Sequence, residues 1–492
     1  MRLVMNPNSI EDYRKFLAVK GLPSFRCVGS EVTFPDEYAH LVEGVSRGAA
    51  KLEKYQPAIR LFDYQEAIVQ MAIRKRKFAI FADCGLGKTL MLLEFARHAQ
   101  KQIGKQNTLI VAPLMVVRQT IEEAKRFYGT KLAIEVVKAA GLAEWMSTAR
   151  GAIGITNYDA MDDEIPQGNL GALVLDESSV LKSHYGKWGQ VLLRLGAGLR
   201  WKLCLTGTPA PNDRIEYANH AVFLDAFPTV NAFLAKYFVN RGQTQERWVL
   251  KPHAIRPFYQ SISHWSIFLA NPSSYGWKDN AVNIPPIQTH IHHVDMTDGQ
   301  RDAVFDATRE LFVTSAGGIT QRSRLAQIGK GTHGVESRKP EFIRSLIESW
   351  PDESTIIWCL YNEEQNALAR LFPDAANIDG ATPIDKRETL IDEFKTGRRK
   401  VLISKPKILG FGLNLQTATR QVFSGLQDSY ESYYQAVKRS NRIGSTRPLN
   451  VHIPVTEIEI PMVESVLTKA NRVQQDTEEQ ERMFMENNKG IR

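Results

Sequence analysis

Cysteine is scarce: the 492 residues hold four, Cys27, Cys84, Cys204 and Cys359, and no two lie close together in sequence. That spacing excludes a disulfide framework or a paired zinc site and fits a reducing compartment. Long apolar runs are missing too. No uninterrupted apolar stretch of about 18 residues occurs, which excludes a hydrophobic membrane-spanning helix. The N-terminus passes from Asn8 to the charged Glu11, Asp12, Arg14 and Lys15 with no leader-like apolar run. Internal repeats and low-complexity tracts are absent. These absences point to a cytoplasmic protein with no membrane partner.

What is present is ordinary globular composition, with 43% hydrophobic and 24% charged residues. Lys and Arg total 62 against 54 Asp and Glu, a net charge of +8 that suits a polyanion partner. At about 150 residues per domain the length predicts about three domains.

From residue 78 to 208, short apolar runs (78–81, 108–111, 152–155, 172–175 and 202–205) alternate with helical patterns. A second set follows at 355–359, 400–403 and 420–423. Continuous apolar strands between helices predict parallel sheets covered on both faces, in two α/β domains. Residues 1–55 stand apart as a small N-terminal module. Residues 223–277 carry 12 aromatic side chains, against 9% for the whole chain, and read as a helical elaboration of the first α/β domain over about 220–280. Pro285-Pro286 marks an extended linker into the second half. The domain expectation is therefore 1–55, 56–282, 283–470 and a C-terminal helix or tail at 471–492.

Directly after the run 78–81 comes Ala82-Asp83-Cys84-Gly85-Leu86-Gly87-Lys88-Thr89, opening a helix-like segment. This is a phosphate-binding loop, although Ala82 stands where the general pattern has its first glycine. Gly85 and Gly87 let backbone N–H groups face phosphates, Lys88 reaches the β/γ oxygens and the Thr89 hydroxyl ligates Mg²⁺. Further on, Asp176-Glu177-Ser178-Ser179 follows a buried strand, where α/β sheets bind their ligands. Asp176 suits holding Mg²⁺, and Glu177 suits activating the attacking water. The run Arg74-Lys75-Arg76-Lys77 reads as the exposed end of a helix rather than a targeting signal.

With these residues in order, residues 55–470 resemble a superfamily-two nucleic-acid ATPase of the Swi/Snf type. The resemblance implies two tandem RecA-like P-loop lobes. Leu61-Phe62-Asp63-Tyr64-Gln65 is similar to the family's adenine-recognising segment, which implies that Gln65 reads ATP. Pro113, Asn157 and Thr206 lie in segments matching loops that contact nucleic acid or couple the two sites. In the second half, Thr382 lies in a segment similar to the Asp-Gly-Ser-Thr motif, and residues 410–415, with Gly412, resemble the Gly-rich fifth motif. The run from Tyr434 to Ser445 closely matches the Gln-Ala-x-x-Arg-x-x-Arg-Ile-Gly signature. By resemblance, Gln435 contributes to nucleotide binding, Arg442 is the arginine finger and Arg439 its neighbour. A permanently charged guanidinium neutralises phosphate as charge redistributes in the transition state.

Two departures stand out. Relatives carry Asp-Glu-Ala-His where this chain has Asp176-Glu177-Ser178-Ser179, so the link between hydrolysis and the Thr206 segment must run through a hydroxyl or be weaker. The acidic-aromatic segment before the last motif has become Leu426-Gln427-Asp428-Ser429-Tyr430.

The resemblance implies an ATP- and Mg²⁺-dependent motor on nucleic acid, double-stranded DNA first, with ATP in the cleft between two lobes that close and release. A monomer is expected, of bacterial or bacteriophage type, and a protein partner could bind through residues 1–55 or 220–280. An ATP-switched DNA-binding scaffold and an RNA helicase are the alternatives. A P-loop kinase fails on the second lobe. The basic residues Lys236, Arg241, Arg247, Lys251, Arg256 and Lys278 among the aromatics are candidates to track DNA.

Overall fold

The computed structural model describes all residues except 43, 45–54, 184–185, 243–246, 280–283, 315–317, 333, 410–413, 427–428, 443–444 and 489–492. The chain forms two compact units, one built from residues 1–281 and 473–492 and the other from 282–472.

The first unit opens with a three-stranded antiparallel sheet, β1 (Arg2–Val4), β2 (Arg26–Val28) and β3 (Glu31–Thr33), in the order β1-β3-β2. Its own small core gathers Val19, Val32, Phe34 and Tyr38. The Tyr38 hydroxyl lies 2.7 Å from Nδ1 of His264, which fastens this module to the main body.

The main sheet holds β4 (Lys77–Ala82), β5 (Asn107–Ala112), β6 (Ile134–Val136), β7 (Ile153–Asn157), β8 (Leu170–Asp176) and β9 (Trp201–Thr206). A two-stranded ribbon of β10 (Phe238–Asn240) and β11 (Trp248–Leu250) follows, then β12 (Ser266–Leu269) returns to the main sheet. The order is β12-β4-β9-β8-β5-β7-β6, and every pairing is parallel. Helices cover both faces, so β5, β8 and β9 are buried along their whole length and read as continuous apolar runs. The flanking helices are amphipathic. Leu114–Tyr128 buries Val117, Thr120, Ala124 and Tyr128, one stripe at helical spacing.

The aromatic segment is more than a helical elaboration. It supplies helices Tyr217–Phe223, Val230–Tyr237 and Ile255–Trp265, the ribbon, and edge strand β12 of the main sheet. Its rings join the core of the main sheet, sharing one cluster with Phe81, Leu109 and Leu173, and within it Phe258 meets Phe233, Tyr237 and Phe238 edge-on.

The second unit is a six-stranded, all-parallel sheet: β13 (Ile287–His293), β14 (Thr355–Trp358), β15 (Ala376–Asn377), β16 (Val401–Ser404), β17 (Arg420–Phe423) and β18 (Leu449–Val455), ordered β13-β18-β17-β14-β16-β15. Ile343, Ile357, Leu368, Ile403 and Val422 centre one of its cores. Two parallel α/β sheets are the architecture expected of tandem RecA-like lobes.

The helix Ile460–Asn487 is continuous, so the segment expected to begin at 471 starts inside it. From Val473 onward it belongs to the first unit, where buried Asp476 pairs with Arg214 at 2.6 Å and accepts from the Tyr259 hydroxyl at 2.7 Å. Among the described residues no helix is long and apolar enough to cross a membrane.

Candidate nucleotide-binding and hydrolysis site

The site is built at one edge of the main sheet. The phosphate loop leaves the carboxyl end of β4, the acidic pair ends β8, Thr206 ends β9, Asn157 ends β7 and Pro113 follows β5. Register brings the ends together, with Phe81 opposite Thr206 and Asp176 opposite Leu205. Ligands of parallel α/β sheets bind at this edge.

Ala82 is still a strand residue, buried in β4, and its φ is not positive, so glycine is not required there. The loop turns at Gly85 (φ 87°) and Gly87 (φ 70°), in the left-handed region that side chains resist. Gly87 is doubly constrained, because a Cβ there would lie 2.2 Å from Nε2 of Gln65. Gly87 caps the helix Lys88–Ile103 without a side chain, leaving the first amides to face an anion. The Lys88 ammonium donates to the carbonyls of Ala82 at 2.9 Å and Asp83 at 3.3 Å. Thr89 occupies the first turn of that helix, half-buried.

Gln65 is held from both ends of its amide. Oε1 accepts from the Phe62 N–H at 3.1 Å and Nε2 donates to the Leu86 carbonyl at 3.2 Å. The Tyr64 hydroxyl donates to the same carbonyl at 3.0 Å. Nε2 also donates to the Tyr64 hydroxyl at 3.5 Å, so both amide N–H groups are engaged and only Oε1 keeps a further accepting position.

Asp176 is buried, and its Oδ1 accepts from the Glu177 N–H at 3.0 Å. The buried Tyr158 hydroxyl donates to the Asp176 carbonyl at 2.6 Å. Glu177 sits in the left-handed region at φ 50°. Its Oε2 accepts from the Thr206 hydroxyl at 3.2 Å, and Thr206 Oγ1 in turn accepts from the Thr208 N–H at 3.1 Å. Electrostatics tie the two arms of the site together. Burial, then the Glu177 charge, push the Asp176 carboxyl up against the pull of Lys88. Burial alone would pull the Lys88 ammonium down, but Cys84, Glu177, Asp176 and Asp83 outweigh it and its pKa ends above the ordinary value. An acidic pair beside one lysine sets a divalent cation and a phosphate each against its opposite charge.

In the second unit, the helix Tyr430–Val437 carries Gln435, half-buried, and leads to buried Arg439 and half-buried Arg442. The buried Gln421 on β17 anchors this segment. Its Nε2 donates to the Ser440 hydroxyl at 2.8 Å and the Ala436 carbonyl at 3.1 Å, while Oε1 accepts from Trp358 Nε1 at 3.0 Å. Gly412 and the rest of residues 410–413 lie outside the described residues.

The surface candidates divide. Pro113 is half-buried beside exposed Leu114 and Met115, and Asn157 caps the next turn by accepting from the Ala160 N–H at 3.1 Å. Thr382 closes a turn with Asp379, donating to Oδ1 at 2.7 Å. Thr206, expected among the nucleic-acid contacts, does not reach a surface: it is fully buried and its hydroxyl donates to Glu177. In the aromatic segment, Lys251 donates to the Ala235 carbonyl, Arg256 pairs with Glu486 and Lys236 lies over Phe25, Phe227 and Tyr237. Arg241 and Arg247 remain exposed.

Residues 64–348, more than half of the chain, match the SNF2-related domain, and residues 338–444 match the helicase conserved C-terminal domain. The chain belongs to the SNF2-related family. It is 24% identical over 409 residues to the Drosophila melanogaster SWI/SNF-related matrix-associated actin-dependent regulator of chromatin subfamily A-like protein 1, covering 80% of this chain and 52% of that protein. It is 23% identical over 445 residues to the Arabidopsis thaliana ATP-dependent DNA helicase DDM1, covering 76% and 55%. The solved Sulfolobus solfataricus SWI2/SNF2 ATPase core in complex with dsDNA is similar at 19% identity and a TM-score of 0.42, over 87% of this chain and 96% of that one. This SNF2-related chain spans about half the length of the two curated relatives.

Several buried polar residues escape a reading of linear motifs. Ser178 and His220 in the first unit, and Gln421, Lys330, Lys339 and Glu459 in the second, make their contacts across elements apart in sequence. Buried polar residues inside apolar runs, such as Gln421 within β17, are the one signal that marks them.

Proposed function

We propose that this SNF2-related chain hydrolyses ATP and uses the cycle to move on double-stranded DNA. The observation that carries the reading is the convergence at one sheet edge of an anion-binding loop, its lysine and an acidic pair whose Glu177 is oriented by Thr206. Lys88 and the loop amides bind the phosphates and Gln65 reads the adenine. Thr206 holds the Glu177 carboxylate, which orients the attacking water and takes its proton. Thr89 and Asp176 would hold a Mg²⁺ ion, which supplies charge neutralisation at the phosphates when bound; one hydroxyl and one carboxylate, with phosphate and water oxygens completing the shell, suit that ion.

Arg439 and Arg442 belong to the second unit. In the proposed cycle they neutralise charge on the transferring phosphoryl group, with Gln435 and Gly412 contributing to the nucleotide site. Pro113, Asn157 and Thr382 supply backbone-tracking contacts. The +8 charge and the DNA helicase named among the relatives favour DNA as the polyanion. Steady-state ATP hydrolysis measured with duplex DNA, single-stranded DNA, RNA and no nucleic acid tests the reading and separates it from an ATP-switched scaffold or an RNA helicase.

A further inference from the structure

The residue after Glu177 has its own partner. Ser178 is fully buried, and its hydroxyl lies 3.1 Å from Nε2 of His220, a fully buried imidazole on the helix Tyr217–Phe223. On its other side the His220 ring meets the edge of Phe81, at 5.4 Å and 90°, on the strand that feeds the phosphate loop. His220 thus contacts a residue on each arm of the site. Burial pulls its imidazole down to about 4, so the ring is neutral at pH 7 and offers one donor and one acceptor.

The chain also makes a second link along the same route. Thr206 at the end of β9 bonds Glu177, and the segment leaving Thr206 enters, after residue 216, the helix that carries His220. Thr206 to Glu177 and His220 to Ser178 are two parallel ties between the same pair of chain segments. Glu177 between them holds a left-handed backbone that a non-glycine residue keeps only when its surroundings impose it. The position where relatives place an imidazole is Ser179 here, and an imidazole arrives instead from the helix Tyr217–Phe223.

We propose that His220 is a positioning residue for ATP hydrolysis: through Ser178 it fixes the backbone of Glu177, so that the carboxylate is aimed and the Thr206 segment moves with it. The proposal rests on the ATPase reading of this site. It predicts a loss in turnover without a loss in nucleotide affinity, because neither residue faces the phosphates.

The test is DNA-stimulated ATP hydrolysis by the full chain carrying Ser178→Ala, His220→Leu, His220→Gln or the first two together, alongside nucleotide binding and thermal unfolding. The expected result is a fall in kcat of about tenfold in Ser178→Ala and His220→Leu, with KM for ATP within about twofold of wild type. The double variant should be no worse than the single ones, and His220→Gln, which keeps a side-chain N–H, should recover part of the rate. Should His220→Leu fail to fold, Ser178→Ala and His220→Gln decide. An active wild type with a full kcat in Ser178→Ala overturns the proposal alone, as would additive losses in the double variant. A wild type without ATP turnover brings down the reading of the site and this proposal with it.

Discussion

The Thr206 hydroxyl donates to the Glu177 carboxylate at 3.2 Å, joining the end of one buried strand to the acidic pair that ends its neighbour. In the proposed cycle, water activation and movement of the 206–209 segment share this one hydrogen bond. Thr206→Val keeps the shape and removes the donor, and it should cut kcat for ATP hydrolysis about tenfold or more while leaving KM near wild type. Thr206→Ser should retain most of the rate. Equal losses in both variants would place the effect in packing.

Lys88→Ala should abolish ATP turnover, because the ammonium is the cation of the phosphate loop and the neighbouring acids are left uncompensated. Arg442→Ala should bind ATP normally and hydrolyse it slowly. Nucleotide binding measured beside turnover separates the two roles, and normal hydrolysis in both variants would contradict the assignment.

Gly87→Ala meets two obstacles, the left-handed backbone and the Gln65 amide 2.2 Å from the new Cβ. It should weaken ATP binding strongly. Adding Gln65→Ala removes the clash but keeps the backbone strain and takes away the proposed adenine-reading amide, so binding should not recover.

In the second unit Glu459 is buried between two lysines, with Lys330 at 2.9 Å and Lys339 on its other oxygen, while Lys339 also donates to the Ser424 carbonyl at 2.9 Å. Glu459→Gln leaves two buried ammonium groups facing each other and should cost about 3–5 kcal/mol in urea unfolding. Replacing Lys330, Lys339 and Glu459 together with apolar residues should cost less than Glu459→Gln alone.

Acid should destabilise the second unit by two routes. Burial raises the Glu459 carboxyl, but Lys330 and Lys339 overcome that and hold it at about 2, below the ordinary 4.5. Its stabilisation is complete above about 4.5 and lost as pH falls toward 2. His452 packs against Trp350 and His290 and hydrogen-bonds His292; burial, then those histidines, hold it at about 3 against an ordinary 6.5. The unfolded chain takes up that proton first, so stability falls as pH drops below about 6.5. Urea midpoints at pH 7.5, 6 and 5 should decline in order, and His452→Asn should flatten the decline above pH 5.

The strands nearest the nucleotide were legible because a parallel sheet covered on both faces demands unbroken apolar runs, as 78–81 and 172–175 show. Strands β6, β12 and β13 were not, nor were the two-residue β15 and the buried β18. Ile134-Glu135-Val136 is too short to show a period, Ser266–Leu269 merges with aromatic helices, and Ile287–His293 is a polar edge strand. The same contrast holds at the site. Lys88, Asp176 and Glu177 announce themselves because one loop and one strand end carry them. His220, Gln421 and Glu459 act through partners 42, 19 and 129 residues away, and nothing local marks a pairing that the tertiary fold creates. The arrival of Thr206 inside the protein, rather than on a nucleic-acid surface, follows from its place as the last residue of a central strand.

The central claim is that the unit-1 site hydrolyses ATP in response to duplex DNA. Steady-state hydrolysis at low salt, where phosphate contacts are unscreened, measures this directly, with and without duplex DNA and with Lys88→Ala as control. The account predicts strong stimulation by duplex DNA that Lys88→Ala eliminates. A rate that is the same with and without every nucleic acid, or that survives Lys88→Ala, would contradict it.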